Sequence, residues 1–317
     1  MQISSIVDIV GGKLLTKPSI SFITQIHTNP SKVNDGDLFI AKSQEDIDEA
    51  LSNGAFAVIF DFECWMNDTE IAWIKVQDCS KALVNLTRFI LSDKTLNSFY
   101  CDDISYEFLN IFLTAGQNYR LLSGDIFYDF KYIISYEEDK ILFSNNKSYL
   151  NDILPLTKEF KIQNHIVENL TIHSLFQTSF SYNKRLFYKL KLSKLYLNQF
   201  LEVYKFLNEE VDLNRLKDFQ YFTPLFINKH LAIEEFGKSN KFIIANNNST
   251  LMDNQIKFLK THYDYAKIAI IKKYKNNDEL YKKIESLEFN ALYIVGKSHK
   301  EILDIFNSFK VKSISLI

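Results

Sequence analysis

Glycine is scarce in this chain, at only 8 of 317 residues against an ordinary usage of about 7%. Loops that cradle phosphate need glycine, because only a residue without a Cβ lets several backbone N–H groups converge on one anion. The shortage narrows the nucleotide sites the chain can hold. Cysteine is as sparse: Cys64, Cys79 and Cys101 are an odd number with no CxxC spacing. That pattern supports neither a disulfide framework nor a zinc site and fits a reducing compartment. The histidines at 27, 165, 173, 230, 262 and 299 show neither HxxxH nor HExxH spacing, so no metal site is expected. No apolar run approaches the roughly 18 residues a membrane span needs. Asp8 and Lys13 interrupt the N-terminal apolar stretch, which is therefore no signal peptide, and a cytoplasmic protein is expected. Neither sign of charge is in excess: the formal net charge of −2 gives no electrostatic case for nucleic acid.

What is present reads as an ordinary globular α/β chain, 46% hydrophobic and 24% charged, long enough for two or three domains. Over the first ~95 residues short strands alternate with helices. Strands are expected at 20–26, 37–41, 55–60 and 71–76. One helix carries Ile47, Ala50 and Leu51 and stops at Gly54, and another spans 81–91. In the middle, 99–101 reads as a strand entering a helix over 106–113. Residues 132–136 and 140–143 read as a hairpin, 195–207 as a helix, and 211–218 as a shorter one. The dense aromatics between Phe180 and Phe206 lack an interleaved basic stripe and read as core. The last ~80 residues show strands at 241–245, 266–272, 291–295 and 313–317. The helices 250–260, 278–287 and 298–309 separate them. Thr250 with Asp253 suggests a capping box. Apolar strands joined by single helices indicate a parallel, Rossmann-like sheet.

Several segments resemble the Mur ligase family, most closely its D-alanyl-D-alanine-adding branch. Ile6 to Leu14, with Gly11-Gly12, is similar to the family's first helix and its ending. Gly36-Asp37-Leu38-Phe39-Ile40-Ala41 resembles its "G-D-L-F-v-A" segment, and Ala50 to Ala55 followed by Ala57-Val58 resembles "A-x-x-x-G-A-x-a-v". Leu195 to Asn208, Phe222-Thr223-Pro224, Ile243 to Ser249 and Ala291 to Gly296 fit later landmarks. The resemblance implies three α/β domains: 1–95, a Mur-ligase-like UDP-binding domain; 96–235, a reduced central domain; and 236–317, a Rossmann-like C-terminal domain.

The departures fall where the family does chemistry. Asn29-Pro30-Ser31 stands in place of a charged Asp-Ser-Arg turn, and Ser43-Gln44-Glu45-Asp46 runs into a helix where a Asp-Gly-His loop is expected. The acids and proline near residue 246 are gone. Between Phe99 and Tyr106 there is no glycine and no lysine, while Asp102 and Asp103 occupy the helix start where phosphates would arrive. Carboxylates there favour the helix start and repel a triphosphate. Two partial motifs remain. Gly237-Lys238-Ser239 leads into a strand. Gly296-Lys297-Ser298 does precede a helix, with Ala291 where the earlier glycine of a phosphate loop is required, and is the one candidate anion site.

The leading expectation is a Mur-ligase-like pseudoenzyme without catalytic residues, metal or cofactor. It would bind other peptidoglycan-synthesis or cell-shape proteins, or a UDP-muramoyl-peptide precursor. Asn29, Ser31, Asn247 and Asn248 are its candidate contacts. The alternatives are a divergent ATP- and Mg-dependent ligase adding an amino acid or dipeptide to such a precursor, and an assembly protein with no ligand.

Overall fold

The structure is a computed structural model that describes residues 1–94, 96–114, 116–135, 140–264 and 266–314. Side chains at 249, 250 and 310–314 lie outside the description, and with them the expected Thr250 capping box. The chain forms a mixed α/β fold in two compact units. One holds Met1–Tyr106 and Thr114–Lys161, the other Glu107–Leu113 and Ile162–Ile317.

The first unit opens with α1 (Ile3–Val10), β1 (Lys13–Leu14), β2 (Ile26–His27), β3 (Asp37–Ile40), α2 (Gln44–Ser52), β4 (Ala55–Phe60), β5 (Ala72–Lys75) and α3 (Cys79–Ile90). Its first sheet runs β1-β5-β4-β3-β2, parallel except for β1. Gly54, with φ of +96°, ends the turn after α2; a Cβ there would meet Asp35 Oδ1 at 2.0 Å. Only glycine closes that turn. Then follow β6 (Asn97–Tyr100), α4 (Asp103–Phe112, which from Glu107 on groups with the second unit), β7 (Tyr119–Leu121), α5 (Ile126–Ile134), β8 (Ile141–Ser144), α6 (Lys147–Ile153) and β9 (Lys158–Glu159). They build an all-parallel sheet ordered β7-β8-β6-β9. Helix α3 packs on both α1 and α5, and one apolar cluster runs from Ile3 to Leu154. The opposite face of the first sheet buries Phe39, Val58, Phe60 and Trp73 against Ile47 and Ala50 of α2.

The second unit holds β10 (Glu168–Ser174), β11 (Gln177–Tyr182) and β12 (Arg185–Leu190) as an antiparallel sheet, then α7 (Leu197–Phe206). Next come β13 (Pro224–Phe226), β14 (Phe242–Asn246), α8 (Ser249–His262), β15 (Ile268–Ile271), α9 (Asn277–Ser286), β16 (Ala291–Val295) and α10 (His299–Ile314). Their sheet runs β13-β14-β16-β15, with β14, β16 and β15 parallel. The expected aromatic core is here: Phe180 stacks on Phe187 at 4.7 Å, Phe200 and Tyr204 pack edge to face on Phe187, and Tyr196 is buried against Phe219. Tyr188 is exposed.

Three expectations are corrected. The hairpin over 132–143 is instead the end of α5 and the strand β8, and residues 136–139 lie outside the described residues. Aromatic and β-branched residues suggested a strand, but Ile126, Phe130 and Ile133 recur at helical spacing and are buried, and Asp125 accepts the Phe127 N–H at 2.9 Å as N-cap. The buried face outweighs strand propensity. The strand over 20–26 shrinks to Ile26–His27, preceded by a single bridge at Phe22. The final strand is replaced over 313–314 by the continuing α10. No glycine or proline follows Phe309 to stop that helix, and 315–317 lie outside the described residues. Among the described residues no helix is long and apolar enough to cross a membrane.

Candidate functional site

The connection from β6 to α4, where a phosphate loop would sit, is only Cys101 and Asp102. Asp102 turns back onto its own helix. Its Oδ1 accepts the N–H groups of Ile104 and Ser105, both at 3.0 Å, and its Oδ2 accepts the Ser105 hydroxyl at 2.8 Å. The next carboxylate, Asp103, accepts from Asn145 Nδ2 at 2.7 Å. The helix N-terminus thus already carries an anion, its own. Burial, reinforced by Asp102 and Asp103, pushes the Cys101 thiol far above its usual range, so it is no nucleophile. A G-x-x-x-x-G-K-[ST] loop of about eight residues has no room in this connection.

A more open site forms at the carboxyl edge of the last sheet. Chain direction alone places it. Strand β14 hands on to α8, whose Gln255 bonds Asn246 and Tyr293 on one face. Strand β16 hands on to α10, whose Ile302, Ile305 and Phe306 cluster with Ile243 and Ala245 on the other. Adjacent strands that send their connections to opposite faces leave a crevice between their ends. Here that crevice is a cleft of about 150 Å³ lined by Ala245, Asn246, Asn247, Gln220, Tyr221, Ser298, His299 and Glu107, the last from the part of α4 that groups with the second unit.

The cleft is lined by hydrogen-bonding groups. Burial raises the Glu107 carboxyl above its usual range, with an opposing hydrogen bond from Asn110. Burial also lowers the His299 imidazole below its usual range, opposed by a bond with the Thr223 backbone. Both groups are biased towards neutrality, and no lysine or arginine is among the described lining residues. Below the cleft lies a closed polar network. Gln255 Oε1 accepts Asn246 Nδ2 at 3.0 Å and the Tyr293 hydroxyl at 2.6 Å, and Gln255 Nε2 donates to the Tyr196 hydroxyl at 2.5 Å. Asn246 Oδ1 in turn accepts the Asn248 N–H at 2.8 Å. A satisfied network of this kind fixes the rim loop in one conformation.

A carboxyl raised on folding holds its proton at pH values where the unfolded chain has released it, so its contribution to stability falls as pH rises above the ordinary glutamate range. Glu107→Gln is therefore expected to raise the melting temperature at pH 7.5. The gain should shrink steadily as the buffer is taken towards about pH 4. Thermal scans across that range measure it.

The residues expected from sequence divide between the units. Asn247 and Ser298 meet in the cleft, and Asn248 is tied to its floor. Gly296, at φ of +84°, donates its N–H to the Asn246 carbonyl at 2.9 Å. Lys297 and Ser298 are spoken for by Glu301. Its Oε1 accepts from Lys297 Nζ at 2.9 Å, its Oε2 accepts the Ser298 N–H at 2.8 Å, and its own N–H donates to Ser298 Oγ at 3.2 Å. This is a capping box; the Ser298 N–H first, and Lys297 next, hold the Glu301 carboxyl below its usual range. Asn29 and Ser31 lie in the first unit, where Asn29 Oδ1 accepts the Ser31 N–H at 3.1 Å and its hydroxyl at 2.9 Å. Sequence reasoning missed Glu107, His299 and the Gln255 network. Gln255 had a signal: it lies three residues after Met252 and four before Leu259, on the apolar stripe itself.

The fold is that of the Mur-ligase-like α/β proteins. Among solved structures the chain is similar to the MurF ligase of Thermotoga maritima in complex with ADP, at 14% identity and a TM-score of 0.50 over 90% of this chain and 97% of that one. It is also similar to MurF from Acinetobacter baumannii, at 12% identity and a TM-score of 0.49, covering 93% and 86% respectively. No family model matches the sequence, and no curated protein does.

Proposed function

We propose that the protein is a Mur-ligase-like pseudoenzyme, a binding or scaffold protein linked to peptidoglycan synthesis or cell shape. The observation that carries the reading is the β6–α4 turn, in which Asp102 takes the N–H groups that a phosphate would need. The small cleft at the end of β14 and β16, with no lysine or arginine among its described lining residues, supports the same view. It suits an amide or hydroxyl of a peptide-like ligand better than a triphosphate. In this reading the chain keeps a three-part organisation over 1–95, 96–235 and 236–317. Asn247 and Asn248, with Asn29 and Ser31 in the first unit, are its remaining contacts, to a UDP-muramoyl-peptide precursor or to a partner protein of wall synthesis. The Gly296-Lys297-Ser298 anion site is not retained in it, because Glu301 already serves as the anion.

Titration calorimetry with ATP and Mg²⁺ tests the reading. No binding at the β6–α4 turn is expected up to millimolar nucleotide, and a micromolar affinity there would overturn it. The rival reading, a divergent ligase, predicts phosphate release when ATP is mixed with UDP-muramoyl-peptides and amino acids.

A further inference from the structure

The geometry points to a second ligand cleft in the second unit, one that takes a planar aromatic anion of small-molecule size. The cleft is separate from the crevice described above and encloses about 740 Å³, within the range of sites that hold a single organic ligand. Phe176, Phe226 and Phe242 line its depth, and all three are buried. Their rings meet edge to face: Phe176 lies 5.0 Å from Phe242 and 6.1 Å from Phe226, and Phe226 lies 6.0 Å from Phe242. Such interlocked rings cannot rotate independently, so the cleft presents a fixed aromatic floor. On one wall Phe258 stacks with His262 at 4.1 Å, which extends the aromatic surface towards the opening.

The rim supplies charge of one sign. Lys189, Lys194 and Lys238 line the cleft, all three are exposed, and no carboxylate is among the described lining residues. None of the three makes an ion pair among the described residues. Lys238 belongs to Gly237-Lys238-Ser239, the partial phosphate motif that the sequence carries without a following helix. The structure shows what that tripeptide does. Gly237, at φ of +75°, turns the chain, and Lys238 donates its N–H to the Glu235 carbonyl at 3.0 Å. Ser239 spends its hydroxyl on the Ile227 carbonyl at 2.6 Å. The turn therefore offers no cradle of N–H groups, but it does carry an ammonium at the mouth of an aromatic hollow. A ring stacked on the floor with its anionic group at the rim satisfies both halves of the site.

The probe is 1-anilinonaphthalene-8-sulfonate, with its uncharged analogue N-phenyl-1-naphthylamine as control, each titrated by fluorescence. One site of micromolar affinity for the sulfonate is expected. A single exposed ion pair changes affinity by up to about fivefold, so the triple variant K189Q/K194Q/K238Q should weaken the sulfonate roughly tenfold or more. The uncharged analogue should change less than twofold, and salt should weaken only the sulfonate. Phe258→Ala should weaken both dyes. The lysines are exposed, so an unchanged melting temperature confirms that the triple variant is folded. Equal affinity of the intact protein for the two dyes, or an unchanged sulfonate affinity in the triple variant, would overturn the proposal. ATP separates this site from the reading above. Nucleotide binding abolished by the triple variant belongs to this cleft, whereas binding that survives it counts against the pseudoenzyme reading.

Discussion

Gln255→Leu is expected to destabilise the protein by about 3–5 kcal/mol, one of the two largest single-residue effects anticipated here. Leucine fills nearly the same space, so the cost comes from stranded polar groups rather than from a cavity. Gln255 is fully buried, as are Tyr293 and, almost completely, Asn246 and Tyr196. Removing the amide leaves Asn246 Nδ2 and the Tyr293 hydroxyl without the acceptor they share, and takes the donor from the Tyr196 hydroxyl. Each orphaned buried group costs about 1–3 kcal/mol, and partial relaxation keeps the sum below the simple total. Burial already pushes the Tyr293 phenol up to about 12, as expected of a hydroxyl that depends on its partner. Urea unfolding monitored by circular dichroism measures the loss. A change under about 1 kcal/mol would mean that water reaches the network.

In the first unit the corresponding residue is Asp129. Asp129→Ala should cost about 3–5 kcal/mol, because it removes the acceptor from a set of buried donors. The carboxylate is fully buried. Its Oδ1 accepts the Ser123 N–H at 3.0 Å and the Ser123 hydroxyl at 3.1 Å; its Oδ2 accepts the Gly124 N–H at 3.1 Å and the Tyr149 hydroxyl at 2.7 Å. Four donors among the described residues satisfy it. Burial first, and Asp129 next, push the Tyr149 phenol far above its usual range. Asp129→Asn retains one acceptor oxygen and should cost roughly half as much. The same unfolding experiment ranks the two variants, and equal stability of Asp129→Ala and the parent protein would refute the assignment.

The sequence was most readable where one physical signal acted alone. Strand β16 matches its expected bounds, and β14 and β15 differ from theirs only at the ends, because continuous apolar runs between single helices leave little choice. The turn at Asp102 was also legible: an acid at a helix start, without glycine or lysine nearby, can only cap. Reading failed where two signals competed. Residues 132–134 carry strand-forming types on a helical period, and the period prevailed. The antiparallel sheet of β10, β11 and β12 was missed although Leu170 and Ile172 alternate with Asn169, Thr171 and His173, a strand signal in a segment that is exposed along its whole length. The cleft residues Glu107 and His299 come from segments almost two hundred positions apart, a proximity that periodicity cannot reveal.

The brevity of the β6–α4 connection bears on how the chain could change over time. A phosphate loop needs about eight residues, and here two join the strand to the helix. Point substitutions can exchange Asp102 for glycine or lysine, yet they cannot lengthen the backbone. A nucleotide pocket of that kind at this position would require inserted residues in a turn that is closed by its own side chain.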